Sequence, residues 1–425
     1  MTVKLLRNAN IFTPHTCDIV KGKPFSRQRS ASWEKGSILI RDGCIERVGN
    51  DIDVVEGIVP SMVDQEIDCR ERCIIPGFVD PHTHMCFASL REAEFAKRLS
   101  GVPYLEILRS GGGILSSVRS FREASDEDVF QLTRKNVMTA LSLGTTTVEI
   151  KSGYGLDTDS EIRMLRIIER IGRETPLNVV PTFMGAHAVP SDHQEHPDRF
   201  VDIVIEEMIP SVARECSPAF CDVFCEKGVF TVEQSRRILL AAGRHGMGLK
   251  VHADEVTDTG GAGMAAEVGS ISAEHLLAAS EENLGKMALA GVIAVLLPAT
   301  AYSLRKPYAD ARKMLELGLT VALATDCNPG SSYTQSMPFV FGLGVMNMEM
   351  TIDEALAACT LNAAKAVGMD KYCGSIEKGK FADLVILDGE TPAILAYNCG
   401  VPPILDVFKK GECVVSRSKD GRILA

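Results

Sequence analysis

Eight short apolar segments alternate with longer segments of helical periodicity between about residue 75 and residue 370. The apolar segments are residues 73–79, 145–150, 179–183, 221–225, 248–251, 270–273, 292–297 and 320–324. Continuous apolar runs of this length are typical of strands that are buried on both faces of a parallel sheet. Parallel strands need long crossover connections, and a helical segment follows each of these runs. The pattern therefore predicts an α/β protein built on a TIM-like (β/α)8 barrel.

Both ends of the chain show a different pattern. Residues 37–41 and 44–48 flank the dipeptide Asp42-Gly43, which is a signal for a β-hairpin. Near the other end, residues 379–383 lead into a short apolar run. We therefore predict that residues 1–74 and 371–425 together form one small β-sandwich domain, and that residues 75–370 form the barrel.

The composition is that of a globular protein with an acidic surface. Of the 425 residues, 45% are hydrophobic and 24% are charged, and both fractions are ordinary for a folded domain. The 56 acidic residues outnumber the 45 lysines and arginines, so the net charge is −11. Since no basic run is present, this charge argues against nucleic acid or an anionic membrane as the main partner.

The cysteines and the first residues predict a cytoplasmic protein. Thirteen cysteines are scattered without a CxxC pair, which suits reduced thiols better than a disulfide framework. The first 14 residues, MTVKLLRNANIFTP, lack the apolar core and the cleavage site of a signal peptide.

One uncharged stretch has nearly the length of a membrane span. Residues 287–304 are 18 consecutive residues without a charge, and a membrane helix needs about 20. Gly291 and Pro298 interrupt the stretch. We therefore predict a helix end, a glycine turn and a buried strand here, and no membrane span.

Polar residues are concentrated at the ends of the predicted strands. Catalytic side chains of a (β/α)8 barrel lie at the carboxyl ends of its strands, and five of the nine histidines and two acidic residues are found there. These residues are His82, His84, His187, His252, Glu255, His275 and Asp326. The remaining histidines lie in polar loop or helix contexts and are interpreted as surface residues: His15, His193, His196 and His245.

Four of these strand-end residues form a candidate metal site. His82 and His84 are two residues apart, so their imidazoles point the same way in an extended chain. A single histidine at a strand end is more often a capping or core residue. Together with His252 and Asp326, however, the pair supplies three nitrogens and one carboxylate. This set suits Zn²⁺ or Fe²⁺.

These motifs resemble the amidohydrolase superfamily. The resemblance lies in PGFVDPHTH at residues 76–84, in His252, His275 and Asp326, and in GKFADLV at residues 379–385. More narrowly, segments along nearly the whole chain resemble the imidazolonepropionase family. These segments are REAEF at 91–95, SGGGI at 110–114, EIKSGYGL at 149–156, TFMGAHAVP at 182–190, DVFCE at 222–226, HADE at 252–255 and DCNPGSS at 326–332.

The resemblance implies an enzyme that hydrolyses the ring amide C–N bond of 4-imidazolone-5-propanoate to N-formimidoyl-L-glutamate, the third step of histidine degradation. It implies one metal ion per subunit, zinc or iron, with four ligands: His82, His84, His252 and Asp326. Binuclear relatives place a bridging lysine at the end of strand four, where this chain has Glu226 followed by Lys227. Because Lys227 is one residue out of register, we expect a single metal.

Hydrolysis also requires a general base for the attacking water. Glu255 lies three residues after His252 and is the first candidate. Asp326 could share this role, and His275 could orient the water or stabilise the oxyanion. The alternative roles are capping of a helix for Glu255 and structural hydrogen bonding for His275.

The substrate's propanoate needs a cation. Arg91 fits because a guanidinium can bind a carboxylate through two parallel hydrogen bonds; the alternative is a surface salt bridge with Glu94. By resemblance, Tyr154 and His187 contact the substrate ring. Tyr154 lies between two glycines, which predicts a mobile loop that closes over the ligand.

By the same resemblance, Asn328, Gly330 and Ser331 hold the carboxylate that the reaction creates. Residues 328–332 predict a turn rich in backbone donors, which suits an anion.

Two other functions remain open on the sequence. A metal-dependent cytosine- or guanine-type deaminase would use the same metal ligands, and the proposed carboxylate-binding residues distinguish it. A catalytically inactive scaffold would be expected to lack metal ligands, whereas all four positions are filled. The expected partner is a small-molecule substrate, and a homodimer is compatible with the sequence.

Overall fold

The computed structural model describes residues 2–15, 30–102, 112–417 and 423–424. Ser110 and Gly111 of the SGGGI segment lie outside the described residues.

Strands predominate towards both ends of the described chain, and strands alternate with helices between them. The strands are β1 Val3–Thr13, β2 Ala31–Arg41, β3 Cys44–Asn50, β4 Gln65–Asp68, β5 Cys73–Pro76, β6 Phe78–Asp80, β7 Thr145–Lys151, β8 Asn178–Ala186, β9 Phe220–Cys225, β10 Gly248–Ala253, β11 Ser272–His275, β12 Ile293–Leu296, β13 Val321–Leu323, β14 Leu384–Leu387, β15 Ile404–Lys409, β16 Glu412–Arg417 and β17 Ile423–Leu424. The α-helices are α1 Asp51–Val55, α2 Glu92–Leu99, α3 Ile114–Glu123, α4 Asp126–Ser142, α5 Thr158–Glu174, α6 Pro197–Ile203, α7 Ile209–Glu215, α8 Val232–Arg244, α9 Gly261–Glu267, α10 Glu281–Ala290, α11 Pro298–Leu304, α12 Ala311–Glu316, α13 Met337–Asn347, α14 Ile352–Cys359, α15 Leu361–Ala366 and α16 Ile394–Tyr397. Short 3-10 helices cover Pro60–Met62 and Ser191–His193, and a π-helical turn covers Val204–Met208.

Eight parallel strands, β6 to β13, form the central sheet, and their order in the sheet is their order in the chain. The backbone N–H and the hydroxyl of Thr325 both donate to the Asp80 carboxylate, at 3.1 and 2.6 Å. A parallel bridge between Thr83 and Cys327 joins the same two ends of the sheet. These contacts bring the first and the last strand together, which confirms the predicted (β/α)8 barrel.

The remaining strands form a nine-stranded mixed sheet from both ends of the chain. Its order is β17-β16-β15-β14-β5-β1-β2-β3, and β4 pairs with β1. The predicted hairpin is present, with Asp42 and Gly43 both at positive φ between β2 and β3. We call these nine strands the terminal sheet. The division into domains at residues 74 and 371 stays a prediction.

The first predicted strand, residues 73–79, is divided at Gly77. Its first part, β5, pairs with β1 and β14 in the terminal sheet, and its second part, β6, pairs with β7 in the barrel. The Gly77 amide donates to the carbonyl of Asp383 at 2.8 Å. A Cβ on Gly77 would lie 2.4 Å from the side chain of Thr146. The chain therefore needs a residue without a side chain where it passes between the two sheets.

The helices cover the barrel with their apolar faces. In α4, for example, Phe130, Val137, Ala140 and Leu141 are buried as predicted, and Ser125 caps the helix by accepting from the Asp128 amide. The uncharged stretch at residues 287–304 contains the end of α10, the left-handed Gly291, β12 and α11. Within the described ranges, every helix is too short or too polar to cross a membrane. The twelve cysteines in these ranges are free thiols.

Candidate active site

Seven predicted functional residues lie at one rim of the barrel, each at or close to the carboxyl end of a strand. His82 and His84 follow β6, and His187 follows β8. His252 is the penultimate residue of β10, and His275 ends β11. Glu255 and Asp326 come shortly after β10 and β13. The barrel thus brings together side chains that are far apart in the sequence.

Three histidines converge on one point. Nitrogens of His82, His84 and His252 lie within 4.8 Å of one another, and all three side chains are buried. Nε2 of His84 and Nε2 of His252 are 3.3 Å apart. Burial, with the positive charge of Lys151 nearby, lowers the pKa of His82 well below its ordinary value. Burial also lowers the pKa values of His84 and His252, which favours the neutral rings that bind a metal.

Asp326 adds an oxygen to this cluster. Its Oδ1 lies 3.5 Å from His82 Nε2 and 3.8 Å from His84 Nε2. Its Oδ2 accepts a hydrogen bond of 2.6 Å from the Thr300 hydroxyl. Burial raises the pKa of the Asp326 carboxyl to about 6. Among the described residues, no group hydrogen-bonds to the buried Nε2 of His82. Three nitrogens, with the Asp326 oxygen close to two of them, are a donor set that suits a metal ion such as Zn²⁺.

The other nitrogens of two of these rings contact buried carboxylates. His82 Nδ1 is 2.7 Å from Glu274 Oε2, and His252 Nδ1 is 3.0 Å from Asp222 Oδ2. A carboxylate in this position favours the Nδ1–H tautomer and directs Nε2 toward the shared point. Asp222 and Glu274 were not among the functional residues predicted from the sequence.

The general base predicted from sequence lies beside the cluster. The Glu255 carboxylate is 3.8 Å from Nδ1 of His275, and the side chain of Glu255 is 15% exposed. The carboxylate of Asp254 accepts from the amides of Thr259, Gly261 and Ala262, at 2.9 to 3.1 Å. The residue before Glu255 is thus fixed by the start of α9, whereas Glu255 itself does not cap that helix.

Three residues at this rim have strained backbones. Asp254, His275 and Asp326 are non-glycine residues with φ of 50°, 71° and 50°. Such conformations cost about 1–3 kcal/mol each and persist only where the surrounding structure imposes them. They lie where β10, β11 and β13 end and the chain leaves the sheet.

The Tyr154 loop is anchored in this conformation. The side chain of Tyr154 is buried, and burial raises its pKa above the ordinary value. The carboxylate of buried Glu161 accepts from the amides of Gly153, Gly155 and Leu156 at 3.1, 2.8 and 2.9 Å. Hydrogen bonds from α5 thus hold the backbone of this loop, and its closure over a ligand stays a prediction.

His187 stacks on a metal-site histidine. Its ring centroid is 4.8 Å from that of His84, with 18° between the planes, and Tyr154 lies 5.3 Å away on a tilted plane. His187 Nδ1 donates to the carbonyl of Gly153 at 3.0 Å, which leaves Nε2 as an acceptor. Burial lowers the pKa of His187 to about 3, so the ring is a neutral acceptor at physiological pH.

Arg91 comes close to this aromatic pair. The charge of its guanidinium contributes to the pKa values of both Tyr154 and His187. The guanidinium lies against Gly330, where an added Cβ would be 1.6 Å from Nη2 of Arg91. Glu94, the alternative partner, is 3.7 Å from Nη1 and also accepts from Ser116 and the Gly113 amide, at 3.2 Å each. Because the contact between Arg91 and Glu94 is longer than a hydrogen bond, the paired N–H donors of the guanidinium can still bind a carboxylate.

The predicted turn at residues 328–332 is present, but its donors are engaged. Asn328 Oδ1 accepts from the amides of Gly330 and Ser331 at 2.9 and 2.8 Å. Asn328 Nδ2 donates to the Ser331 hydroxyl and to the Asp326 carbonyl. In this conformation the turn orders its own backbone and buttresses Asp326. An anion in this turn would have to replace the Asn328 side chain as the acceptor for these two amides, and its binding there stays a prediction.

Two cavities border the site. One of about 1070 Å³ extends from His187 past Glu226 and Lys227 to Thr257. The other, of about 370 Å³, is lined by Arg91, Gly330 and several aromatic residues. The larger cavity comes nearest to the histidine cluster at His187, and the smaller one at Arg91.

A barrel whose rim carries three converging histidines and a carboxylate defines a class of hydrolases. Residues 73–424 match the Amidohydrolase family, so the chain belongs to that family. Within it, the chain belongs to the imidazolonepropionases, being 59% identical over 413 residues to the "Imidazolonepropionase" of Syntrophobacter fumaroxidans, with 96% of each chain covered. The "Imidazolonepropionase" of Desulfotalea psychrophila is 53% identical over 417 residues, which cover 97% of this chain and 100% of that relative. The predicted family and the predicted enzyme class are confirmed.

Solved structures support the fold independently. Escherichia coli guanine deaminase superposes with a TM-score of 0.75 at 14% identity, covering 98% of this chain and 100% of that chain. A 5-methylcytosine deaminase from Klebsiella pneumoniae gives 0.72 at 15% identity, covering 97% and 98%. An adenosine deaminase from Xanthomonas campestris, described with bound zinc, gives 0.69 at 17% identity, covering 96% and 92%. At these identities the likeness shows the fold alone.

Proposed function

We propose that the chain hydrolyses the ring amide C–N bond of 4-imidazolone-5-propanoate and releases N-formimidoyl-L-glutamate, the third step of histidine degradation. The observation that carries this proposal is the convergence of His82, His84 and His252 at the barrel rim, in a chain 59% identical to an imidazolonepropionase. Water adds to the ring carbonyl carbon, the C–N bond breaks, and the departing nitrogen takes up a proton.

One metal ion, zinc or iron, would be held by His82, His84, His252 and Asp326. The ion supplies Lewis acidity, which lowers the pKa of water toward about 7 and polarises the carbonyl. The contacts of Glu226 support a single ion. Its carboxylate accepts hydrogen bonds from the backbone amides of Lys227 and Val256, at 2.9 Å each. Both oxygens therefore already have backbone donors, which makes them less available to a second ion.

Glu255 is proposed as the general base. Its carboxylate is partly exposed at the mouth of the site, where it can accept the proton of the attacking water and return it to the ring nitrogen. His275, 3.8 Å from Glu255, is placed to orient the water or to donate to the oxyanion. Asp326 holds the metal and could share the proton.

Substrate recognition is assigned to residues on the side of the histidine cluster opposite Glu255 and His275. Arg91 binds the propanoate, and its charge already acts on Tyr154 and His187. The neutral His187 can accept a hydrogen bond from a ring N–H. Asn328, Gly330 and Ser331 form the turn next to Arg91 and are proposed to contact the carboxylate that the reaction creates.

The test is turnover by the purified, metal-loaded protein. We expect loss of the imidazolone absorbance and formation of N-formimidoyl-L-glutamate, identified by mass spectrometry. Cytosine and guanine serve as controls, and no ammonia should form from them. Ammonia release from either base without hydrolysis of the imidazolone would reject the proposal in favour of a deaminase.

A further inference from the structure

Two lysines are buried inside the barrel, directly below the histidine cluster. Lys151 and Lys250 are fully inaccessible to solvent. Neither residue has a role in the proposed reaction. Burying a charged group costs several kcal/mol unless it is paired and hydrogen-bonded, so their presence in the core of a barrel needs a reason.

Both lysines contact the same carboxylate. Nζ of Lys151 is 2.7 Å from Oε2 of Glu149, and Nζ of Lys250 is 2.9 Å from Oε1 of Glu149. The Thr182 hydroxyl also donates to Oε1, at 2.6 Å. Glu149 therefore joins the two lysines at the centre of the barrel.

Each lysine also contacts a carboxylate that holds a proposed metal ligand. Lys151 Nζ is 2.8 Å from Asp222 Oδ2, the oxygen that lies 3.0 Å from His252.

The second lysine makes the corresponding contact with Glu274. Lys250 Nζ lies 3.8 Å from Glu274 Oε1, and Glu274 Oε2 lies 2.7 Å from His82 Nδ1. Lys250 also donates to the carbonyl of Pro81 at 2.9 Å, in the backbone next to His82. The Ser272 hydroxyl donates to Oε1 of Glu274 at 2.5 Å.

A continuous buried ionic chain thus connects two histidines on opposite sides of the barrel. We infer that Lys151 and Lys250 are positioning residues: through Asp222 and Glu274, they hold the rings of His252 and His82 with Nε2 aimed at the metal. The inference rests on the metal site of the proposed function. It also gives a role to the two charged residues of the EIKSGYGL segment, Glu149 and Lys151.

The physical basis is the orientation of the Asp222 carboxylate. Its Oδ1 accepts from the backbone amide of His252 at 3.2 Å, and Lys151 fixes its Oδ2, the oxygen that faces the His252 ring. Without this cation, Asp222 loses a fixed partner in the buried interior of the barrel, and it will rotate or recruit another donor. Loss of the outer partner of a metal-bound histidine typically weakens metal affinity by about 10- to 100-fold.

The experiment measures the dissociation constant of Zn²⁺ by competition with a chromophoric chelator, with no substrate present. The test variant is Lys151→Met, which has nearly the same length but no charge. The matched control is Lys409→Met, because Lys409 is also buried and pairs with one carboxylate, Asp383, at 2.5 Å, but lies in the terminal sheet. Thermal unfolding is recorded for both variants.

We expect both variants to lose thermal stability, but only Lys151→Met to bind Zn²⁺ about 10- to 100-fold more weakly. Lys250→Met should weaken binding in the same direction. If Lys151→Met and Lys250→Met retain the wild-type zinc affinity while losing stability like the control, the ionic chain is only structural and the inference is wrong.

Thr182→Val is the second variant if Lys151→Met does not fold. It keeps both lysines and removes only the hydroxyl that donates to Glu149. We expect a smaller rise in the dissociation constant, of about 3- to 10-fold, since one charge-assisted hydrogen bond is lost. An unchanged affinity in Thr182→Val then contradicts the inference.

The substrate-free design separates this inference from the proposed function. Tight zinc binding that depends on Lys151, in a protein that leaves the imidazolone intact, would support the inference and reject the proposed reaction. Wild-type zinc affinity in His252→Ala would reject the metal site, and the inference with it.

Discussion

The carboxylate of Glu226 accepts a hydrogen bond of 2.9 Å from the backbone amide of Val256. Val256 is the residue after Glu255, and Asp254 on the other side is held by the start of α9. The proposed general base therefore lies between two anchored neighbours. Glu226, which occupies the position of the bridging lysine of binuclear relatives, holds the loop that carries the base.

Removal of this anchor should slow catalysis without removing the metal. In Glu226→Ala, the loop gains freedom and Glu255 loses its fixed position. We expect kcat to fall by about 10- to 100-fold, because misplacement of a catalytic group by about 1 Å has effects of this size. Steady-state kinetics and elemental analysis of the same preparation measure both quantities. Glu233→Ala, at an exposed glutamate lining the same cavity, is the control and should retain kcat.

Glu255→Gln should retain the metal and lose most of the activity. Glutamine has the size of glutamate but cannot accept the proton of the attacking water. We expect kcat to fall by about 10²- to 10⁴-fold, the usual contribution of a general base. A variant with nearly normal kcat would transfer the role to Asp326 or His275.

Replacement of a proposed metal ligand should remove metal and activity together. We expect His252→Ala and Asp326→Ala to be purified with little metal, because each variant loses one of four donors. Dialysis of the wild-type protein against a chelator should lower its midpoint of thermal unfolding, since a bound ion stabilises only the folded state. Full metal content in His252→Ala, by elemental analysis, would show that this histidine is not a ligand.

Substitution of Arg91 should reduce activity in a graded way. Arg91→Lys keeps the charge but loses the paired donors, and Arg91→Ala loses both. We expect kcat/KM to fall about tenfold for Lys and about a hundredfold for Ala, from the strength of a charge-assisted bidentate contact. The loss should largely disappear with an imidazolone that lacks the carboxylate. Equal losses with both substrates would instead make Arg91 an anchor of its own loop.

Gly330→Ala should weaken substrate binding by displacing the side chain of Arg91. The new Cβ would lie 1.6 Å from Nη2 of Arg91, so the flexible guanidinium must move away from its position. We expect a higher KM, while zinc content and thermal stability stay close to those of the wild type. Gly285→Ala, at a glycine of α10 where an added Cβ meets no atom within 4 Å, serves as the control. A normal KM in Gly330→Ala would show that Arg91 acts from another position.

The sequence was sufficient to predict the barrel and the residues at its rim. Each barrel strand is buried on both faces and therefore appears as an apolar run, and the end of each run fixes where its polar side chains emerge. The division at Gly77 could not be predicted in this way. Both β5 and β6 are buried, so their composition does not distinguish the terminal sheet from the barrel.

The buried ionic chain was not predicted, although a signal for it exists. Glu149 and Lys151 are two residues apart in one strand, and so are Lys250 and His252 in another. Side chains at this spacing share a face of the sheet, so charges inside an apolar strand point to a polar barrel interior. The pairing of Lys151 with Asp222 depends on which strands are neighbours, and only the folded structure provides that information.

The Tyr154 loop and the turn after Asp326 show a second limit. Glycines at residues 153 and 155 are compatible with motion in a sequence, but Glu161 accepts from three amides of this loop. Asn328 likewise engages the amides of its own turn. In both segments a side chain supplies the acceptors that anchor the backbone, and composition does not reveal which side chain does so.

The passage through Gly77 has a consequence for the order of events during synthesis. In the terminal sheet, β5 lies between β1 and β14, and β14 begins only at Leu384. The N-terminal strands leave the ribosome early and keep an unpaired edge, which is prone to aggregation, until almost the whole chain has been made. The terminal sheet is therefore completed only after all eight barrel strands, β6 to β13, have been made.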